Sequence, residues 1–481
     1  MKATYFLALL TGLAVSLFAS TGHAMDITAI ASGDWSDTNI WDSGTVPGPN
    51  DDTDIPGGIS VTVDTNVVVQ FIYDSGTVIM GTNSSLNLTT DSAIATGTTL
   101  LTTAPSNTVI YSGNPFFAKQ CNYYNLELAN TNYVDAYPPY YPFEDFNNFS
   151  SSAGPTPMTI AGNMTVMGAI KVQQGSGGAP ITIEGNLNIG TNCIWDCSGD
   201  NLTVMGNLYV YGLLEDLNGA LGTNYVNGNV LISGVGHSGY SAATGLGTNG
   251  WNISDVTTWG VGGSITNDGA IYGVGYGCIN FNGAGVITGS NTLKLPTIII
   301  SGSYEVGTTI LLTTNNATLN GTVVFDLANT NQIILQPFTN APTTQTTYYS
   351  GNLVVVDSDA PPVSGSSYSL FNAANYAGTF AAITLPSLPP GLSWVNNLAT
   401  SGSIAVTGGS AGSPSITSSQ QSGVLTLSWN STTYPGYVVE AQTNRMGLGT
   451  NWMPVAGGGT SPFTIAINPT NPAVFFRLHN P

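Results

Sequence analysis

Four segments decide the fold: Met158-Thr-Ile-Ala-Gly-Asn-Met-Thr-Val-Met-Gly168, Ile181-Thr-Ile-Glu-Gly-Asn-Leu-Asn-Ile-Gly190, Leu202-Thr-Val-Met-Gly-Asn-Leu-Tyr-Val-Tyr-Gly212 and Tyr225-Val-Asn-Gly-Asn-Val-Leu-Ile-Ser-Gly234. Each carries an apolar alternation into a Gly-Asn pair, with glycines at 162, 185, 206 and 228, in steps of 185−162 = 23, 206−185 = 21 and 228−206 = 22 residues. Self-similarity at a period in the twenties marks a solenoid, whose units bury their apolar faces only against their neighbours. The runs alternate like strands and show no helical period. The expected fold is therefore all-β, a right-handed parallel β-helix. A glycine at each corner suits positive φ or close backbone approach, and asparagines at a fixed offset can stack as a ladder between coils. A β-sandwich with regular turns is the alternative, because turn signals every 8–12 residues would suit it.

Downstream, glycines 283, 302 and 321 stand 19 residues apart, again a coil length. The β-helix is expected over residues 25–407, with insertions near 132–157 and 237–259. Residues 408–414, Gly- and Ser-rich, read as a flexible linker. Beyond them, Leu425-Thr-Leu-Ser-Trp429, Tyr437-Val-Val-Glu-Ala441, Phe463-Thr-Ile-Ala-Ile467 and Val474-Phe-Phe-Arg-Leu478 alternate in period two. Residues 415–481 are expected to form a small fibronectin-III-like β-sandwich around Trp429.

Residues 1–24 read as a secretory signal peptide, with Lys2, an apolar run from Phe6 to Phe18 and small residues at Gly22-His23-Ala24. No later run reaches the roughly 18 apolar residues of a membrane helix. The expected location is secreted or cell-surface. Charged residues make up 7% of the 481 and net charge is −20. Six residues are basic, and loss of Lys2 leaves five: Lys119, Lys171, Lys294, Arg445 and Arg477. That excludes the basic stripe of a nucleic-acid binder and a polybasic patch for anionic lipid. The cysteines, Cys121, Cys193, Cys197 and Cys278, are too few for a disulfide framework; Cys193 and Cys197 read either as a local disulfide or as buried thiols.

Two aromatic stretches stand out as ligand-binding candidates. Residues 132–157 include Tyr137, Tyr140 and Tyr141, whose rings would stack on sugars or fold back as an apolar flap. The second insertion carries Trp251 and Trp259. Asp51, Asp52 and Asp54 would suit calcium, the one cofactor expected at all, or form a solvated turn. An enzyme of the polysaccharide lyase or glycoside hydrolase kind needs carboxylates of adjacent coils on one face. The candidates are Glu184, Asp196, Asp200 and Asp216, with Glu215 beside them and Lys171 one coil earlier. Nucleophile elbows, Lys-bearing phosphate loops and paired-histidine zinc motifs are absent.

Several stretches resemble known secreted proteins. Gly33-Asp-Trp35, Trp41, Val46-Pro-Gly48, Asp51-Asp52 and Ile59-Ser-Val-Thr-Val63 look like the opening coil of autotransporter-passenger-like (autotransporter-associated repeat) β-helix proteins and, more loosely, of G8-type domains. Ser369-Leu-Phe-Asn-Ala373, Gly378-Thr-Phe380 and Ile383-Thr-Leu-Pro-Ser-Leu-Pro-Pro-Gly-Leu-Ser-Trp394 resemble the last coils of the same proteins. Ser428-Trp429, Gly436-Tyr437, Gln442-Thr-Asn444, Asn451-Trp452 and Phe475-Phe-Arg-Leu478 resemble a C-terminal module of secreted Verrucomicrobia and Planctomycetes proteins. The resemblance implies an exported structural or adhesive protein whose partner is an extracellular polysaccharide or cell-surface component, with self-association through the coil ends open to it. A β-helix carbohydrate-active enzyme is the second expectation. In the first coil, Trp35 and Trp41 are expected to close the open end.

Overall fold

The computed structural model describes residues 25–480 apart from 91–93, 96, 114–117, 120, 131–142, 146–156, 169, 174–179, 198–200, 217–222, 234–249, 256, 276, 296, 308–310, 314, 330–331, 336–344, 360, 409–413, 444–447 and 472. Strands dominate it, and the one α-helix among the described residues is the single turn Leu398–Ser401.

The chain winds in coils of three strands. Met158–Ile160, Met164–Gly168 and Lys171–Gln173 make one coil; Ile181–Ile183, Leu187–Ile189 and Ile194–Asp196 make the next. Each strand pairs in parallel with its counterpart one coil later, Met158 beside Ile181 and Met164 beside Leu187. Strands that pair across a whole coil exclude the sandwich for this region, because a sandwich pairs near neighbours antiparallel. Three long sheets result. Sheet 1 has 14 strands, from Asn66–Val69 to Ala382–Thr384; sheet 2 has ten, from Phe143–Asp145 to Phe371–Asn372; sheet 3 has ten, from Met158–Ile160 to Asn375–Gly378. In the first coils two shorter sheets take the places of sheets 2 and 3. Sheet 4 comprises Asp26–Thr28, Asp52–Asp54 and Phe71–Tyr73, and sheet 5 comprises Gly33–Asp34, Ser60–Val63, Thr77–Met80 and Thr99–Leu101.

Strand alternation sends every second side chain inward, where Val, Ile and Leu of successive coils form one continuous buried core. Each such side chain contributes roughly 1.5–3 kcal/mol on full burial. Trp35 and Trp41 are buried at the first coil, 5.0 Å apart edge to face, and the Trp41 indole N–H donates to the Trp35 carbonyl at 3.0 Å. They fill that end as expected.

The Gly-Asn corners explain the period. The N–H of Gly185 donates to the carbonyl of Gly162 at 2.8 Å, Gly206 to Gly185 at 2.9 Å and Gly228 to Gly206 at 3.0 Å. A Cβ on Gly206 would lie 2.4 Å from the Gly185 oxygen. None of these glycines has positive φ; close approach alone requires them. Beside them the asparagine ladder forms. Asn163 N–H donates to Asn125 Oδ1 at 2.8 Å, Asn186 to Asn163 at 2.9 Å, and Asn207 to Asn186, Asn229 to Asn207 and Ser264 to Asn229 at 2.8 Å each. The later glycines repeat the device: at Gly302 and Gly321 a Cβ would stand 2.0 Å from the preceding glycine oxygen.

At the far end, antiparallel strands Ser367–Ser369, Ser393–Asn397 and Ser403–Thr407 and the helical turn close the core over Phe371, Phe380 and Leu398. A separate small core follows, with Leu427, Trp429, Val439 and Phe463 between two three-stranded antiparallel sheets. All four cysteines are free thiols, Cys193 and Cys197 facing the core on either side of Trp195. The local disulfide is not formed, and burial pushes the Cys193 thiol up to about 11.

Candidate functional site

Two outward faces carry chemistry. The first is sheet 4. Ile27, Thr53 and Ile72 point inward, so their neighbours point out. The register sets Asp26 beside Asp52 and Asp52 beside Phe71, with Thr28, Asp54 and Tyr73 in the parallel column. The Phe71 and Tyr73 rings lie 5.9 Å apart and within 15° of parallel. Desolvation, then the charges of Asp26 and Asp51, raises the Asp52 carboxyl above its ordinary value. Desolvation and Asp74 raise that of Asp54 against a lowering hydrogen bond from Thr28, with Asp26 and Asp42 adding to the rise. Tyr73 is raised by desolvation and by Asp26, Asp54, Asp52 and Asp42. From residue 3 to 118 the sequence has no lysine or arginine to neutralise this face. It is a wall of carboxylate acceptors beside a pair of parallel rings.

The calcium expectation falls on the same residues and finds no support in the geometry. Asp51 turns its oxygens to the N–H groups of Gly48, at 2.9 Å, and Met25, at 3.2 Å. Among the described residues, no group of three acidic, histidine or cysteine side chains is spaced to hold a metal ion.

The second face is sheet 2. Val172, Trp195, Leu214 and Trp251 face the core. The next position along each strand forms one column, Asp145, Gln173, Asp196, Glu215, Asn252 and Tyr272, in parallel register. Asp196 and Glu215 are register neighbours, so their strands lie about 4.8 Å apart. Each is only 1% exposed, which means this outward face is covered. The preceding column sets Lys171 beside Ile194 and Ile194 beside Leu213.

Of the four carboxylates expected to converge, Glu184 and Asp196 stand on different sheets, sheet 3 and sheet 2. Glu184 is exposed at the end of a sheet 3 strand. Asp200 lies outside the described residues. Asp216 sits beside Ile253, a core position, and so on the alternate register from Glu215. The pair the fold does assemble, Asp196 with Glu215, was legible once Ile194-Trp-Asp196 and Leu213-Leu-Glu215 are aligned one coil apart.

Trp251 and Trp259 are corrected outright as ligand-binding residues. Both are fully buried, their ring centroids 4.8 Å apart at 84°. The strands Gly250–Asp255 and Thr258–Val261 are ordinary rungs of sheets 2 and 3, and both indoles occupy their inward positions. They fill the coil rather than decorate an insertion. Tyr137, Tyr140 and Tyr141 lie outside the described residues, as does the expected signal peptide. Comparison with family models, with curated proteins and with solved structures found no match to this chain.

Proposed function

We propose that this chain is an exported structural or adhesive surface protein, a stiff right-handed β-helical rod that binds glycan or matrix through a face of its coils. On this reading the C-terminal residues form a fibronectin-III-like module, and the opening and closing coils are of the autotransporter-associated kind that they resemble. The observation that carries the proposal is the sheet 4 face, where Phe71 and Tyr73 stand parallel beside Asp52 and Asp54. Rings offer an apolar surface to the C–H face of a sugar, and carboxylates accept from its hydroxyls. A chain of net charge −20 repels polyanions, so the partner is neutral or cationic.

One observation favours a second reading, a β-helix carbohydrate-active enzyme: Asp196 and Glu215 occupy adjacent rungs. A glycan array and polysaccharide pull-down on residues 25–481, scored for binding and for release of reducing ends, separates the two. Binding without release, lost in the Phe71→Ala/Tyr73→Ala double variant, supports the adhesive reading. Sugar release abolished by Asp196→Asn or Glu215→Gln would replace it with the enzyme.

A further inference from the structure

We infer that sheet 3 carries a second binding face, for an extended uncharged polysaccharide, centred on Tyr225. The inference rests on the reading of the chain as a glycan binder and names the chemical class and the surface.

All ten strands of sheet 3 lack Asp, Glu, Lys, Arg and His. Their outward column runs Thr159, Thr182, Thr203, Tyr225, Gly260, Asn280, Ile299, Thr318, Tyr348 and Ala377 in unbroken parallel register. The inward neighbours, such as Ile181, Leu202, Trp259 and Phe281, belong to the core. In so acidic a chain, ten consecutive neutral rungs form a surface that neither attracts ions nor suits an ionised partner.

Tyr225 is 44% exposed, and its ring does not stand off the sheet. A Cβ on Gly260, its register neighbour, would fall 2.5 Å from both Cδ1 and Cε1 of Tyr225. The ring therefore lies across the next rung, against bare glycine backbone, and any larger residue at 260 would lift it. This holds an aromatic surface along the rod axis with much of it open to solvent. On the N-terminal side, Thr203, Thr182 and Thr159 set hydroxyl-bearing residues at rung intervals of about 4.8 Å. Tyr348, also 44% exposed, stands five rungs further on beside another small residue, Ala377. Five steps of about 4.8 Å place the two tyrosines ~24 Å apart along one straight column. An aromatic ring laid along a line of hydroxyls fits a chain of pyranose rings, which presents C–H faces to the ring and hydroxyls to the threonines. A nucleic acid would need cations that this face lacks.

The test uses residues 25–481 and β-1,4-linked hexasaccharides of glucose, mannose and xylose as probes, titrated calorimetrically. At least one hexasaccharide should bind, with an affinity that changes little between about 0.05 and 0.5 M salt. Tyr225→Ala should weaken it about tenfold. Gly260→Val keeps Tyr225 but displaces its ring, and should produce a loss of the same order; Tyr225→Phe should keep most of the affinity. Thermal melts report whether each variant is folded, and Tyr225→Ala, at an exposed position, serves if Gly260→Val is not. Affinity unchanged in folded Tyr225→Ala, or lost only in Phe71→Ala/Tyr73→Ala, overturns this inference and leaves the adhesive reading standing. Steep salt dependence overturns the neutral-ligand assignment. Failure of the intact chain to bind these probes or any array glycan overturns both.

Discussion

Sheets 2 and 3 alternate along the same coils, share one interior, and turn opposite chemistry outward. Sheet 3 presents threonines, tyrosines and glycine with no charge in ten strands. Sheet 2 sets Asp196 and Glu215 in one column, and the outward Ile194, Leu213, Asp196 and Glu215 are buried. The inward positions are constrained by packing against the coils above and below, while the open outward positions of sheet 3 are free of that constraint and the covered ones of sheet 2 are not. The outward chemistry therefore lies on alternate residues of strands whose other residues pack the shared interior.

The largest effect is expected in the interior that the two faces share. Trp251 supports sheet 2 and Trp259 sheet 3, in edge-to-face contact. Truncation of either to alanine should cost about 3–5 kcal/mol, by equal amounts in denaturant unfolding. A large inequality would mean that the faces rest on separate cores.

Next comes the contrast between covered and open outward positions. Ile194→Asp on sheet 2 places a carboxylate at a fully buried site and should cost about 2–4 kcal/mol. Thr182→Asp on sheet 3 should stay within about 0.5 kcal/mol. Equal melting temperatures for the two variants would mean that the outward positions of the two sheets are equally covered.

The corner between sheet 3 and sheet 1 should respond less. Gly206→Ala forces a methyl to within 2.4 Å of the Gly185 carbonyl oxygen and should destabilise by about 1–3 kcal/mol. Hydrogen exchange should show the loss concentrated in the adjoining rungs, since each coil touches only its neighbours. A uniform loss along the whole rod would contradict that local coupling.

The smallest effect concerns sheet 4 and pH. Asp52 and Asp54 have folded values raised above 3.8, so the folded state binds their protons more tightly than the unfolded state does. The stability they contribute is present in acid and is lost as pH rises through the raised values. Asp268 and Asp326 are lowered from 3.8, so theirs is present above 3.8 and is lost as pH falls through the lowered values. Amides of the first coils should therefore exchange more slowly as pH is brought from neutral toward about 4, after correction for intrinsic rates. Replacement of Asp52 and Asp54 by Asn should remove the trend; a trend of the opposite sign would sink the account of this face.

Much of this could be read before folding. The Gly-Asn period announced the coils because a glycine must recur wherever backbones touch once per turn. The asparagine ladder followed from the same period, since each asparagine side chain accepts from the amide one coil later. Trp35 and Trp41 fill the first coil, as a terminal repeat requires. The sites were less legible. Trp251 and Trp259 read as a decorated loop because neighbouring glycine and serine obscured the alternation that turns both indoles inward. Phe71 and Tyr73 looked like any strand residues until parallel pairing set them beside Asp52 and Asp54.

From the sequence came the repeating unit and, wherever the alternation is unbroken, the residues of each strand that face the core, because these depend on local alternation and on a corner contact that recurs once per coil. Which outward residues become neighbours, Asp196 with Glu215 and Tyr225 with Gly260, was set by the winding of the coils. The separation between such partners varies from 19 residues for the first pair to 35 for the second, as insertions lengthen individual coils. A change of one residue in register would move every partner to the other side of its strand.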